Sequence, residues 1–390
     1  MATRKVYFAV FGSGLGHVTR VLEVARRLRS QGIELRFSSS GQGLEYLKAR
    51  GEGRNSVECP GLDVEWASGG FSSWHVLPGF PFMFNTFLKQ LAFEREHIAE
   101  YDPDVVVSDS RLSAVLAARS ESYPVITVLN QFSIAFPPRF RHNAGKIYER
   151  IAGDGLGLMW ALSGDVLMTD LPPPYTIGEA NLVGSDIARV VQFIGFTSPD
   201  AKPSPENLTR VRKMLDFDSR PLVFCQVSGP GPTKANFVKT LQRAAGELSS
   251  KFNLVISLGN PRGSTQPKKV AGGGWVFEWC PVKDELFTLA DLVVARAGHS
   301  TIGQCINAAK PAVLVPIYNH PEQIGNATKF AQLGLGMAIR SEKLTAENFS
   351  EAVESCLRNP RFHANAESLQ AVSARYNGVE RCAEIIRTRV

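Results

Sequence analysis

Short apolar runs alternate with helix-period segments along almost the whole chain, and this alternation limits the possible folds more than any other sequence feature. The runs are rich in β-branched and aromatic residues and have the length of buried strands. The candidate strands are residues 6–11, 33–38, 104–108, 125–129, 166–169, 190–194, 222–227, 254–258, 276–279, 292–295 and 313–315. Apolar strands separated by helices predict parallel sheets with helices on both faces, and therefore an α/β fold.

The stretch "FTSPDAKPSPEN", residues 196–207, is rich in Pro, Ser and Asp and has no periodicity, as is typical of a linker. We therefore expect two doubly wound parallel-sheet domains, residues 1–195 and 208–370, that face a central cleft at the carboxyl ends of their strands. The apolar spacing also predicts a C-terminal helix over 364–388, and we expect the C-terminal segment, residues 371–390, to pack back on the first domain. That contact would couple domain closure to ligand binding.

Composition narrows the class of protein. The chain has 390 residues, 44% of them hydrophobic, and can bury more than one large core. It shows neither an apolar run of membrane-spanning length nor a signal-peptide pattern, so we expect a cytoplasmic protein. The six cysteines lack C-x-x-C spacing, which favours buried thiols over structural zinc or disulfides. A net charge of +6 favours anionic partners, but the basic residues are dispersed, and we expect no nucleic acid partner.

The glycine-rich segment "FGSGLGHVTR", residues 11–20, directly follows the first candidate strand. It matches the dinucleotide-binding fingerprint until the third glycine, where His17 stands instead. The apolar residues that follow have helical spacing, so Gly14 and Gly16 belong to a strand-to-helix loop and His17 lies at the helix N-terminus. The positive end of the helix dipole disfavours imidazolium, which leaves His17 neutral and suited to act as a general base.

Asp109 is the candidate partner of His17. It ends the strand in "DPDVVVSDS", and parallel strands deliver their carboxyl ends to one edge of a sheet. A general base needs a carboxylate to hold its second nitrogen and to stabilise the charge it acquires. A purely structural alternative is that His17 caps its loop and Asp109 caps the following helix. Their common place on one sheet edge favours a catalytic pair.

The second half contains a longer pattern, "ADLVVARAGHSTIGQCINAAKPAVLVPIYNHPEQIGNATKFAQLG", residues 290–334. It reads as a strand, a glycine turn, a helix, another strand and a second entry from a loop into a helix. Upstream, "LVFCQVSGPGPTK" likewise places a glycine turn after a strand. Helix N-termini that follow glycine turns bind phosphate through backbone N–H groups. Several such termini at one edge suit a diphosphate.

These segments resemble the donor-binding half of GT-B glycosyltransferases: the family 28 enzymes that glycosylate the lipid-linked peptidoglycan precursor, and the UDP-glycosyltransferases of plants and animals. The family pattern runs from W-x-P-Q through a glycine turn and a helix acid to P-x-x-x-D-Q-x-x-N-A. Here it appears as Trp279 to Val282, the turn at 297–301, Gln304, and Pro316 to Ala327. "GSGLGH" resembles the acceptor-side glycine loop of the same enzymes. The resemblance implies a GT-B fold of two Rossmann-like domains.

The resemblance also implies a donor site, carried over residue by residue to Ser228, Gly229, Phe277, Trp279, Gly298, His299, Ser300, Thr301, Gln304, Glu322 and Gln323. Trp279 would stack near the base, and the backbone at Phe277 would contact the base edge. The turn at 298–301 and the loop at 228–229 would hold the diphosphate. Glu322 and Gln323 would bind sugar hydroxyls, with Asn326 as the anchor of their helix.

Two positions depart from the family pattern. Val282 stands where a glutamine is expected, and Gln304 stands where an acid is expected; both family residues hydrogen-bond ribose hydroxyls. Gln304 retains an acceptor, whereas Val282 offers none. We nevertheless expect uridine as the base. The D-x-D triplets at 102–104 and 216–218 do not end a central strand of the first domain, so we expect no metal.

The implied activity is an inverting transfer of a hexose or N-acetylhexosamine from a nucleoside-diphosphate sugar, with UDP-sugar as the expected donor and without a cofactor. In this reaction His17 removes the proton of the acceptor hydroxyl, and Asp109 supports it. Two alternatives remain open: a nucleotide-sugar epimerase, and a sugar-nucleotide-binding subunit without catalysis. A nicotinamide-dependent dehydrogenase is excluded by His17 and by the strand end Ser38 to Ser40, which lacks the ribose-binding acid.

The segment "GFPFMFNTFLKQLAF", residues 79–93, is too aromatic for an ordinary exposed loop. If it is exposed it could insert into a bilayer surface and bring the enzyme to a lipid acceptor; if it is buried it belongs to the core. The positive net charge favours the first interpretation. We therefore expect an acceptor that is a lipid or a small molecule, and a peripheral location on the inner face of the membrane.

Overall fold

A computed structural model describes residues 4–61, 66–67, 70–71, 76–131, 143–182, 191–198, 203–229, 231–270 and 273–390. Residues 199–202 of the predicted linker and residue 190 of a predicted strand lie outside these ranges. The chain divides into two compact units. The first contains Met1–Glu65, Ser72–Pro199 and Tyr376–Val390, and the second contains Trp66–Phe71 and Asp200–Arg375.

The elements up to residue 198 are, in chain order, β1 (Lys5–Val10), α1 (Gly16–Arg29), β2 (Glu34–Ser39), α2 (Gly41–Leu47), β3 (Ser56–Glu58), β4 (Trp66–Ala67), β5 (Gly70–Phe71), α3 (Val76–Tyr101), β6 (Val105–Asp109), α4 (Leu112–Ser120), β7 (Val125–Leu129), α5 (Asn143–Ala161), β8 (Gly164–Met168) and β9 (Val191–Phe193). Those after residue 202 are α6 (Pro205–Met214), β10 (Leu222–Gln226), α7 (Gly231–Lys251), β11 (Asn253–Ser257), β12 (Lys268–Lys269), β13 (Trp275–Phe277), α8 (Lys283–Leu289), β14 (Leu292–Ala295), α9 (His299–Asn307), β15 (Ala312–Leu314), α10 (Pro321–Gln332), β16 (Gly336–Ala338), α11 (Ala346–Arg358), α12 (Pro360–Ser373) and α13 (Gly378–Arg387).

The first unit is built on a parallel sheet with the strand order β3-β2-β1-β6-β7-β8-β9. Strand β1 is apolar throughout because its alternate residues point to opposite faces of the sheet, and helices cover both faces. Val6, Phe8 and Val10 pack with α1 and α13, whereas Tyr7 and Ala9 pack with α3, α4 and α5. Both faces are buried, as the continuous apolar runs predict.

The second unit has a sheet with the order β12-β13-β11-β10-β14-β15-β16, parallel except for β12. Helices α7 and α11 cover one face of its core. The two doubly wound α/β sheets confirm the predicted fold class. The edge strands β3, β12 and β16, like the two-residue strands β4 and β5, were not predicted from the sequence.

The C-terminal segment corrects one expectation. The helix predicted over 364–388 is two helices, α12 in the second unit and α13 in the first. The helix is interrupted before α13, and the side chain of Asn377 accepts from the N–H of Glu380 and caps α13. A Cβ at Gly378 would lie 2.5 Å from the carbonyl oxygen of Gly195, so the break also needs glycine. Apolar residues of α13 join the core beneath α1.

The cysteine interpretation is confirmed, because all six cysteines are free and buried. In the part of the chain that the structure describes, no helix combines the length and the apolar character needed to cross a bilayer.

Candidate active site

The glycine loop of the first unit is shaped by close backbone packing. A Cβ at Gly12 would lie 2.3 Å from the carbonyl oxygen of Ser40, so only glycine fits there. Gly14 has φ +78°, a left-handed conformation that favours glycine. The loop then enters α1 at Gly16, with His17 in the first turn. His17 therefore lies at the carboxyl edge of the first sheet, where β6 ends at Asp109.

The structure brings His17 and Asp109 together. His17 Nδ1 lies 2.6 Å from Asp109 Oδ1, and the Asp109 side chain is fully buried whereas His17 is 20% exposed. The His17 and Phe11 rings pack at an interplanar angle of 68°, with centroids 5.3 Å apart. When Nδ1 carries the proton and donates a hydrogen bond to Asp109, the free lone pair of the imidazole is on Nε2. A buried carboxylate and a partly exposed imidazole are the geometry of a base and its supporting acid.

Arg20 is a third member of this cluster, and the sequence interpretation missed it. Arg20 Nε lies 2.5 Å from Asp109 Oδ2, and Nη2 lies 2.5 Å from Oδ1. Its Nη1 also donates to Asn130 Oδ1 at 3.2 Å. Burial alone would raise the pKa of Asp109, but the charges and hydrogen bonds of Arg20 and His17 outweigh it and lower that pKa. The helical i, i+3 spacing of His17 and Arg20 was the one available signal.

A second buried ion pair lies in the same unit and was also missed. Glu94 is fully buried, and its Oε1 accepts from Arg111 Nη2 at 2.6 Å. The hydroxyls of Tyr7 and Ser38 donate to the same carboxylate, each at 2.8 Å. Arg111 Nη1 donates to the carbonyl oxygen of Val10 at 3.2 Å. This network joins α3 and the start of α4 to strands β1 and β2.

The predicted donor residues all lie at or beyond the carboxyl ends of strands in the second sheet. Ser228 and Gly229 follow β10, Phe277 ends β13, and Trp279 is half-buried two residues further on. A Cβ at Gly229 would lie 3.0 Å from Ile317 Cδ1, so the loop after β10 approaches the loop after β15. Gln323, in α10, accepts from the N–H of Ile317 at 2.9 Å.

The turn after β14 leads directly into α9. Gly298 is the N-cap, and His299, Ser300 and Thr301 form the first turn, with Gln304 half-buried one turn later. Asn326 Nδ2 donates to the carbonyl oxygen of Ala297 at 3.2 Å, which ties α10 to this turn. That contact is the one expected of a helix anchor. Val282 is buried at the start of α8 and supplies an apolar side chain only.

Two cations at the carboxyl edge of the second sheet are held by neutral groups. Lys234 Nζ donates to the carbonyl oxygen of Gly259 at 2.7 Å. Arg296 donates to the carbonyl oxygens of Thr233 at 2.6 Å and Val315 at 3.0 Å. Burial lowers the pKa of Lys234, and it lowers that of Arg296 to about 10. Within the described residues neither forms an ion pair, so both leave positive charge at this sheet edge.

His320 is the N-cap of helix α10. Burial lowers the pKa of His320 below the ordinary value of 6.5, although the charge of Glu322 acts in the opposite direction. The unfolded chain therefore binds more protons than the folded one below pH 6.5, and stability falls as pH drops. We expect His320→Asn, which keeps a capping oxygen, to reduce this decline in the free energy of unfolding. Urea unfolding of both proteins between neutral and acid pH measures it; identical slopes would contradict the expectation.

The aromatic segment at 79–93 is part of helix α3 rather than a loop. Phe82 is 62% and Phe84 54% exposed, and Leu88 is also exposed; the side chain of Phe80 lies outside the described residues. Helix α5 likewise exposes Ile147 and Ile151. The described part of the segment thus presents apolar side chains to solvent. For metals, no group of three or more His, Cys, Asp or Glu residues suitable for an ion occurs among the described residues.

Comparison with known proteins defines the class. Residues 4–149 match the family model "Glycosyl transferase family 1", and residues 230–382 match "Glycosyltransferase family 28 C-terminal domain". The whole chain superposes on CalG4, the calicheamicin glycosyltransferase, with a TM-score of 0.67 at 15% identity, covering 100% of this chain and 98% of that chain. It also superposes on Streptomyces sp. SF2575 SsfS6 complexed with thymidine diphosphate, with a TM-score of 0.64 at 18% identity and 99% coverage of both chains. The protein is a glycosyltransferase with the GT-B fold, which confirms the resemblance.

Two curated glycosyltransferases are similar to this chain over most of its length. An uncharacterized glycosyltransferase of Methanopyrus kandleri is 26% identical over 341 residues, 86% of this chain and 92% of the relative. The UDP-N-acetylglucosamine--N-acetylmuramyl-(pentapeptide) pyrophosphoryl-undecaprenol N-acetylglucosamine transferase of Streptococcus gordonii is 23% identical over 375 residues, 93% of this chain and 92% of the relative. The second half of the chain thus matches family 28 and the first half matches family 1.

Proposed function

We propose that the protein transfers a sugar from a nucleoside-diphosphate sugar to an acceptor hydroxyl with inversion at the anomeric carbon, and that His17 is the general base. The observation that carries the proposal is the pairing of His17 Nδ1 with the buried Asp109 carboxylate at 2.6 Å. This contact orients the imidazole and selects the form in which Nε2 accepts a proton. Asp109 then stabilises the imidazolium that forms.

The proposed reaction is a single displacement. His17 Nε2 takes the proton of the acceptor hydroxyl as the acceptor oxygen forms a bond to the anomeric carbon. The bond between that carbon and the diphosphate breaks, and the nucleoside diphosphate leaves with the electron pair. One displacement at one carbon inverts its configuration. In this proposal Lys234 and Arg296 of the second unit supply the positive charge that stabilises the leaving diphosphate, and the step uses no metal.

The donor proposal depends on the edge of the second sheet. The N-terminus of α9 follows the Gly298 turn, and helix N-termini favour phosphate. Lys234 and Arg296 add charge that no carboxylate of the described residues balances, so a diphosphate would be the compensating group. The name of the Streptococcus gordonii relative includes a UDP-sugar. We propose a UDP-sugar that carries a hexose or N-acetylhexosamine, held at Glu322 and Gln323.

The acceptor proposal depends on exposed apolar surface in the first unit. Helices α3 and α5 expose Phe82, Phe84, Ile147 and Ile151, and exposed apolar surface commonly marks a binding or membrane surface. We propose that the acceptor is apolar, either lipid-linked or a small molecule, and that the protein works peripherally at the cytoplasmic membrane face. The relative from Streptococcus gordonii acts, by its name, on a pyrophosphoryl-undecaprenol acceptor.

Thermal unfolding with a panel of nucleoside diphosphates and UDP-sugars, without added metal, tests the donor site. At about 100 times its dissociation constant a ligand of the folded state adds about 2.7 kcal/mol of stability. We expect the largest increase with UDP or a UDP-sugar. An increase only with TDP or another nucleotide would correct the base, and no increase with any of them would overturn the donor site.

A second measurement separates the reaction classes. Incubation of the stabilising sugar nucleotide with and without acceptors, followed by product analysis, should yield a glycoside of inverted configuration only when an acceptor is present. Conversion of the donor into its epimer without an acceptor would instead identify an epimerase. Donor binding with no reaction under any condition would indicate a binding subunit.

A further inference from the structure

A third residue, the positively charged Arg20, contacts the pair formed by His17 and Asp109. Arg20 lies one helical turn after His17 on α1 and is only 5% exposed. It contacts both oxygens of Asp109 at 2.5 Å, and its Nη2 lies 3.0 Å from His17 Nδ1. If Nδ1 donates to Asp109 it has no free lone pair, so Nη2, which can only donate, donates to Asp109 and lies beside the imidazole as a cation. His17 therefore faces an Arg–Asp ion pair rather than a lone carboxylate.

Neutral groups also contact this cluster, and the buried carboxylate of Asp170, held by the backbone N–H groups of Leu171, Ile177 and Gly178, follows β8 at the same edge of the sheet. Phe11 packs against the His17 ring, and Asn130 and Ser110 accept from Arg20 at 3.2 and 3.5 Å. Cys382 on α13 interacts electrostatically with both Asp109 and Arg20. Burial raises the pKa of its thiol to about 12, so the thiol stays neutral. The charges of Arg20 and Asp109 oppose one another, and a proton taken by His17 adds one positive charge to the cluster.

We propose that Arg20 is a positioning residue that fixes the Asp109 carboxylate against His17 and, by neutralising it, sets the pH at which His17 accepts a proton. The bidentate contact leaves Asp109 Oδ1 facing His17 Nδ1, so the imidazole keeps Nε2 available. The guanidinium lies 3.0 Å from His17 Nδ1 and neutralises the carboxylate that would otherwise attract a proton to the imidazole. The catalytic meaning of this role rests on the proposed function of His17; the electrostatic role does not.

NMR titration of the histidine side chains in the whole protein tests this directly and needs no substrate. The signal of His17 is identified among the seven histidines by its loss in His17→Gln. In Arg20→Met the Asp109 charge is no longer neutralised, and the His17 titration midpoint should rise by about 1–3 pH units. An unchanged midpoint in a folded variant would overturn the proposal.

Two further variants keep the test decisive if Arg20→Met does not fold. Asp109→Asn leaves the Arg20 cation beside His17 and should lower the midpoint. The double variant, Arg20→Met with Asp109→Asn, removes both charges and should return the midpoint towards the wild-type value. Asp109→Asn and the double variant differ only at position 20. Equal titration midpoints of His17 in the two would show that the charge of Arg20 does not affect His17.

Arg29→Met is the matched control. Arg29 lies on the same helix and forms an ion pair with Glu52, away from His17. Its replacement should leave the His17 midpoint unchanged, and a shift there would mean that loss of any ion pair on α1 alters the site.

Transfer kinetics then separate this inference from the proposed function. In Arg20→Met the acid limb of kcat/KM should move to higher pH with the midpoint, so that the loss of rate at neutral pH is recovered at alkaline pH. A moved midpoint with an unmoved rate profile would refute His17 as the base and leave the charge cluster intact. An unmoved midpoint would refute the role of Arg20 and leave the base assignment intact.

Discussion

Replacement of His17 by alanine should lower the rate of sugar transfer by about 10²–10⁴-fold, the usual contribution of a general base. The reason is local: His17 Nδ1 is held by Asp109 at 2.6 Å, so its Nε2 is the group that can take the acceptor proton. Affinity for the nucleotide should not change, because the proposed donor residues all belong to the second unit. Initial rates and donor titrations of the purified variant measure both quantities.

The control for this variant is His363→Ala, in α12 of the second unit, which should transfer sugar at the wild-type rate. If His17→Ala lost activity together with donor affinity, the residue would be part of the donor site instead. If it transferred sugar within a few-fold of the wild-type rate, the base would have to be another group. Asp109→Asn offers an independent check, since an amide cannot stabilise the imidazolium and should also slow transfer strongly.

Replacement of Glu94 by alanine should lower the free energy of unfolding by about 3–5 kcal/mol, because Arg111 is left as a buried charge without its partner. Arg111 is 3% exposed and donates to Glu94 at 2.6 Å. The hydroxyls of Tyr7 and Ser38 lose their acceptor at the same time. Arg111→Met should have an effect of similar size, and chemical denaturation monitored on the first unit measures both.

The double variant, Glu94→Ala with Arg111→Met, should cost clearly less than the sum of the single variants, because no unpaired charge remains. The neighbouring residue provides the control: Arg95 donates to Glu121 at 2.7 Å but is 56% exposed. Arg95→Ala should cost at most about 1 kcal/mol. Additive losses in the double variant would mean that packing, and not the unpaired charge, dominates the effect.

The order of elements and the placement of the motifs could be read from the sequence. All eleven predicted strands overlap an observed strand of the two sheets, and two of them, 125–129 and 292–295, have the observed bounds. Because the carboxyl ends of parallel strands share an edge, His17 and Asp109 could be expected together before any coordinates were available. Strand pattern and helix period act over a few residues, so they remain visible in a linear sequence.

The partners of the buried charges could not be predicted in the same way. Arg111 and Glu94 are separated by 17 residues, and Arg20 and Asp109 by 89. In the sequence each is one charged residue among many, and only the packed structure shows that each has lost water and gained a specific counter-ion. The break between α12 and α13 escaped prediction for the same reason, since it depends on Gly378 passing close to the backbone of Gly195.

The sequence by itself determined the two α/β sheets, the glycine loop that ends in His17, and the series of motifs at the strand ends of the second unit. These follow from local periodicity and backbone conformation. Only the tertiary structure decided that His17 faces an ion pair of Asp109 with Arg20, and that Lys234 and Arg296 are held by carbonyl oxygens rather than carboxylates. Charge balance depends on which side chains meet in space, and distant parts of the chain settle that only when they pack together.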